Sequence, residues 1–148
     1  MPDPSTLMEV PGLVDIDATF LPVGQMRQIA RVSTIDRASI VGEMDLGAEH
    51  WVYAQHFPGD PIFPGTLLIE AAGQLVALYA WMEGRRGYPR LVRTRAEFHS
   101  PVTPEASGLR LKAAVQRKRH LYFGDIQIFS ADTLVASVDA VLVVLTNR

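Results

Sequence analysis

The 148-residue chain has no cysteine. That absence excludes disulfides, thiolate nucleophiles and zinc–thiolate sites together, and it fits a reducing compartment. Basic side chains are scarce at first, because residues 1–84 carry only Arg27, Arg31 and Arg37 against eleven acids. The opening MPDPSTLMEV has acids and prolines where a secretory signal needs basic residues followed by an apolar stretch. The longest apolar run, Leu67 to Met82, is interrupted by Glu70 and Gln74 and falls short of a bilayer span. Phosphate-loop and dinucleotide-binding glycine patterns are missing, as are clustered metal ligands. These absences predict a soluble, cytoplasmic protein away from membranes, with no metal and no redox cofactor. The length predicts a single domain over 1–148, with 1–24, rich in proline, as an irregular lead-in.

Charge returns abruptly after the helix-like segment. Residues 85–119 hold ten basic side chains against Glu97 and Glu105. In a chain of net charge −2, such a block predicts an acidic partner met at one face. Nucleic acid fits poorly, because the block carries no recognised binding motif.

Hydrophobic periodicity orders the rest. Alternation from Met26 predicts a first strand, and Ala38 to Leu46 a second, with Ile40, Met44 and Leu46 on one face. A helix is expected from about Thr66 to Glu83, apolar almost all round and therefore buried on most sides, with Gly84 and Gly87 bounding its end. Four further segments alternate. In 91–98, Val92, Thr94, Ala96 and Phe98 form one face, while 109–116, 121–129 and 133–145 follow the same period. The last is apolar on both faces, as a central or interface strand should be. One buried helix with most strands after it predicts an α+β fold, a curved antiparallel sheet wrapped round the helix.

The loop HFPGDPIFPG, residues 56–65, packs three prolines and two glycines at the head of that helix. Pro64 and Gly65 fall at its start, where unpaired N–H groups and the dipole favour a negatively charged oxygen, and Thr66 suits the N-cap or first turn. Glu70 and Gln74 follow one turn apart on one face. A carboxyl among Leu67, Leu68, Ala71 and Ala72 is costly to ionise, so it is expected to hold its proton. His56, beside Phe57, is the side chain here that exchanges protons near neutral pH. A base, an acid and a backbone oxyanion site thus gather round one apolar helix. Taken singly, each has an ordinary structural explanation as a surface histidine, a solvated glutamate or simple turn chemistry.

The whole string HFPGDPIFPGTLLIEAAGQ closely resembles the signature of the FabZ-like (3R)-hydroxyacyl-[acyl-carrier-protein] dehydratases of fatty-acid synthesis, with a looser likeness at EFHSPVTPEASGLRL. The resemblance implies a hot-dog fold and a dimer, homodimer or heterodimer with another hot-dog subunit, or a trimer of dimers. It also implies active sites at the subunit interface. His56 takes the place of the family's catalytic base and Glu70 that of its acid, from opposite subunits. The N–H of Gly65 takes the place of the donor to the thioester oxygen, and Gln74 that of the residue holding the acid. Phe57 and Pro64 flank the substrate's path.

The implied reaction removes water from a 3-hydroxyacyl thioester carried on the phosphopantetheine of an acyl carrier protein, with no other cofactor. Two departures bear on the pathway. A His-Arg-x-Pro-Phe motif is missing near TFLPVGQMRQIARVSTID, and PVTPE lacks the usual glycine. They raise a polyketide or polyene pathway beside fatty-acid elongation. The rivals are a non-catalytic hot-dog subunit of a heterodimeric dehydratase and a hot-dog thioesterase. Asp45 and His50 match the Asp-x4-His spacing of MaoC-like hydratases without its intervening residues, so that spacing is read as chance. His99 and His120 are assigned no role.

Overall fold

A computed structural model describes residues 20–146. The expected irregular lead-in therefore lies largely outside the described residues. After a 3-10 turn at Gly24–Met26 come β1 (Arg31–Ile35), β2 (Ser39–Asp45), a short α1 (Val52–Gln55) and the long α2 (Gly65–Met82). Four long strands follow: β3 (Tyr88–Phe98), β4 (Gly108–Lys118), β5 (Leu121–Ser130) and β6 (Thr133–Leu145). All six strands form one antiparallel sheet in the order β1-β2-β4-β5-β6-β3. This is the sheet-round-a-helix arrangement that the sequence predicts.

The helix lies along the inner face of the sheet. Leu75, Val76 and Leu78 are fully buried there, against Ile40, Leu111, Ile126 and Val138 of the strands. The approach is close enough to dictate glycine at position 124, where a Cβ would stand 2.5 Å from Val76 Cγ2. The helix closes on a pair of capping bonds, Gly84 N–H to Trp81 O (2.9 Å) and Arg85 N–H to Ala80 O (3.0 Å). Gly84 supplies the required left-handed turn with φ +95°. At 18 residues the helix is long and apolar enough to cross a membrane by composition, yet 61% of it is buried inside the protein, so its apolarity goes into the core.

Two expectations are corrected. The first strand starts at Arg31 rather than Met26. The backbone of 26–29 bonds instead to the side chain of Gln74 on α2, which takes the place of a strand partner. In β3 the register shifts between Leu91 and Arg93, so Val92 is a bulge residue. Leu91, not Val92, then shares the inner face with Thr94, Ala96 and Phe98, opposite Leu142, Ala140, Val138 and Ala136. Thr66 lies in the first turn of α2, as the second helical residue, and Pro64 is the N-cap.

Strand β6 is central, between β5 and β3, as its two apolar faces require. Strand β3 ends the sheet, and the helix leaves its inner face open. Leu91, Val92 and Phe98 are each about half exposed.

Candidate active site

The loop that carries His56 is anchored at both ends. At its head, Val52 N–H donates to His50 Nδ1 (3.2 Å), and His56 N–H donates to Val52 O (2.8 Å). At its tail, Phe63 N–H donates to Val102 O (2.8 Å). Between them the chain folds back, and His56 Nδ1 lies 2.9 Å from Ile62 O. A carbonyl only accepts, so Nδ1 carries the hydrogen and Nε2 keeps its lone pair, as a general base requires. Phe57 has φ +62°, a left-handed conformation uncommon for an aromatic residue, and its ring centroid lies 4.3 Å from that of His56. The two anchored ends of the loop hold this backbone in place beside the histidine. Phe57 itself is 55% exposed.

At the head of α2, the N–H groups of Leu67 and Leu68 both donate to Pro64 O, at 3.1 and 3.3 Å, and no side chain caps the helix. The N–H groups of Gly65 and Thr66 are left without an acceptor among the described residues. They sit at the positive end of the helix dipole. The absence of a Cβ at Gly65 is filled by Phe98, since a Cβ there would lie 2.7 Å from Phe98 Cζ. Gly65, Thr66, Phe98 and His99 line a cavity of about 490 Å³. Phe98 is the residue that sequence reasoning missed. The sole signal was its place in the EFHSP stretch, and contact across 33 positions leaves no periodic trace.

Glu70 is held by Gln74. Gln74 Nε2 donates to Glu70 Oε2 (2.9 Å) and to Met26 O (2.7 Å), while its Oε1 accepts from the N–H of Gln28 (2.8 Å) and Ile29 (3.3 Å). All four hydrogen-bonding positions of the amide are used, which fixes its orientation. Gln74 is only 3% exposed. Glu70 lines a second cavity, of about 320 Å³, with Thr66, Gly73, Ala77 and Leu91. His56 is not among the residues lining it. Within one chain the structure brings Glu70 and Gln74 together, while His56 belongs to the loop beyond Thr66.

The basic block does not lie wholly on one face. Arg86 stacks on the Trp81 ring at 3.6 Å, and Arg117 pairs with Glu83 at 3.3 Å, both at the C-terminal end of α2. An 18-residue helix puts that end about 26 Å from Gly65. Arg93 and Arg95 pair opposite Val141 and Asp139 on the face of the sheet turned away from the helix. The expected basic face is there in part: the register puts Arg90, Arg93, Arg95, Arg110 and Lys112 on that same outer face, while Arg86 and Arg117 leave it for the end of α2. Asp45 and His50 are also apart in role. Asp45 pairs with Arg31 (2.9 Å), whereas His50 caps α1 and packs against Phe63, where burial pushes its pKa below the ordinary histidine value. His99 Nε2 lies 3.1 Å from Ser137 Oγ.

Among solved structures, the chain is similar to AziG of S. sahachiroi, at 21% identity over 78% of this chain and 90% of that one, with a TM-score of 0.61. It is also similar to the dehydratase heterocomplex ApeI:P of Xenorhabdus doucetiae, at 14% identity over 86% and 89%, with a TM-score of 0.69. A third likeness is to an uncharacterised protein of Pyrococcus horikoshii, at 14% identity over 77% and 81%, with a TM-score of 0.60. At these identities the likeness establishes the fold. The profile of the FabA-like domain matches residues 21–139, which take in β1 to most of β6, the His56 loop and the Glu70 helix, and the protein is therefore a member of the FabA-like domain family with the hot-dog fold.

Proposed function

We propose that the protein is a hydro-lyase that dehydrates a (3R)-3-hydroxyacyl thioester, carried by an acyl carrier protein, to the trans-2-enoyl thioester. The observation that carries this reading is the pairing of two prepared groups with opposite tasks. His56 is fixed as the Nδ1–H tautomer with Nε2 free, and Glu70 is locked into a cavity by Gln74. Nε2 of His56 takes the proton from C2. The N–H of Gly65, at the dipole's positive end, receives the charge developing on the thioester oxygen, an interaction typically worth about 3–4 kcal/mol. Glu70 delivers a proton to the departing C3 hydroxyl, which leaves as water. Phe57 and Pro64 shape the approach to the histidine.

His56 does not line the cavity of Glu70 in one chain, so the site is completed across a two-fold interface. The open edge of β3, with Leu91, Val92 and Phe98 exposed, supports such pairing edge to edge. The partner is a second hot-dog chain, either a copy of this one or a distinct subunit, as in the heterocomplex that this fold matches. The test offers carrier-bound 3-hydroxyacyl substrates of several chain lengths to wild type, His56→Ala and Glu70→Gln, with products read by mass. Each variant is expected to lose about 10²–10⁴ in rate while keeping its fold. Release of free acid in place of the enoyl product would identify a thioesterase. Carrier binding with no turnover, alone or with a partner subunit, would identify a non-catalytic subunit.

A further inference from the structure

Gly73 stands in the middle of α2, where glycine costs stability relative to alanine. Three other glycines are dictated by contact. A Cβ at Gly42 would meet Leu75 Cδ1 at 2.7 Å, and those at Gly65 and Gly124 would meet Phe98 and Val76. Gly73 has no such reason, because a Cβ there meets nothing of the rest of the fold within 4 Å. From Ala71 to Trp81 every other residue of α2 is buried. The one opening in that buried stretch is at Gly73.

The opening belongs to the cavity of Glu70. Thr66, Glu70, Gly73 and Ala77 line it and fall at i, i+4, i+7 and i+11, a single stripe of the helix surface. At its far end stand Phe20 and Leu21, each 3% exposed. The Phe20 ring packs 4.8 Å from that of Trp81, at the C-terminal end of α2. The cavity thus begins at the acid and follows the helix past Gly73 to an apolar end. Glu70 to Ala77 spans about 10 Å along the helix, room for roughly eight extended carbons at ~1.2 Å each.

We propose that Gly73 sets the chain length that the site accepts. The proposal rests on the dehydratase reading for the identity of the ligand and adds its class, a medium-chain acyl group of roughly ten carbons. With C3 at Glu70, the acyl tail runs over Gly73 toward Phe20. A side chain at position 73 would stand in its path one turn beyond the acid. The stability forgone at a mid-helix glycine keeps that path open.

Carrier-bound 3-hydroxyacyl substrates of four and ten carbons, offered to wild type, Gly73→Ala and Gly73→Leu, test it. Wild type should favour the ten-carbon substrate in kcat/KM. In Gly73→Leu the ratio of ten-carbon to four-carbon kcat/KM should fall about 10–200-fold, the discrimination that a misplaced methylene produces in an apolar pocket. Gly73→Ala should lie between, and should raise the thermal midpoint, because its methyl group is unopposed and alanine favours helix. Sedimentation velocity should give both variants the wild-type mass. An unchanged ratio, equal losses at both lengths, or a lower mass, which would assign the glycine to contact between chains, overturns the proposal. If wild type dehydrates neither substrate, the dehydratase reading fails on its own terms, and selection is read by calorimetry with saturated pantetheine thioesters of the two lengths. The same fall in relative affinity in Gly73→Leu supports the proposal, and equal affinities or no binding overturn it.

Discussion

Gln74 and Glu70 form a single unit, in which the amide that donates 2.9 Å to the carboxylate is also the hydrogen-bonding partner of the backbone at Met26, Gln28 and Ile29. One side chain therefore orients the acid and seals the chain segment entering β1. Replacing it separates the two duties. Gln74→Leu leaves the N–H groups of Gln28 and Ile29 unsatisfied in a buried place, which should cost about 3 kcal/mol. Gln74→Glu keeps the acceptor and loses the donor, so it should spare the Gln28 and Ile29 bonds while turning a carboxylate toward Glu70. Urea midpoints and turnover, measured together, separate the outcomes: Leu damages both, whereas Glu damages turnover more than stability.

Much of this was legible in the sequence because it is local. The turn-by-turn spacing of Glu70 and Gln74, the bounds of α2 and β6 and the glycine that ends the helix all rest on short-range rules. What was not legible is long-range. Gln74 reaches back 48 positions to Met26, and this contact converts an apparent strand at 26–30 into a pinned, extended lead-in. The bulge at Val92 inverts the facing of the residues before it, and no periodicity announces one extra residue. The charge block reads as one unit in sequence, yet Arg86 and Arg117 turn to the end of α2 while Arg93, Arg95, Arg110 and Lys112 share the outer face, a division set by register across β3 and β4.

Gly65 and Phe98 make a second coupled pair. Gly65→Ala places a methyl group 2.7 Å from the Phe98 ring, so the ring must move or the helix start must shift. Overpacking of this kind typically costs about 1–3 kcal/mol. Phe98 is half exposed, so removing it should itself be mild. The double variant Gly65→Ala/Phe98→Ala should recover most of what Gly65→Ala loses. A double-mutant cycle on thermal or urea unfolding measures this directly, and additive losses would show that the two residues do not touch.

Gly124 and Val76 allow the same argument for the core, with less room to yield. The Cβ of Gly124→Ala would stand 2.5 Å from Val76 Cγ2, between a central strand and the buried face of α2. The helix cannot retreat without opening the contacts of Leu75 and Leu78. Gly124→Ala should therefore destabilise by about 2 kcal/mol, and Val76→Ala in the same chain should relieve part of that by making space. The measurement is the urea midpoint at constant m-value.

His50 gives the fold a pH dependence whose direction follows from its surroundings. The ring is packed among Trp51, Tyr53 and Phe63, its Nδ1 accepts the N–H of Val52, and burial depresses its pKa from 6.5. Above about pH 6.5 the ring is neutral in both folded and unfolded chains, and its contribution to stability is complete. Below that value the unfolded chain takes up a proton that the folded one resists, so stability falls as pH drops through the folded pKa. Protonation of Nδ1 would also displace the Val52 bond that caps α1 and leads to His56. His50→Asn keeps an acceptor for Val52 N–H and removes the titration. Its urea midpoint should vary less than that of wild type from pH 7 down to pH 5, and an unchanged slope would assign the acid sensitivity to other groups.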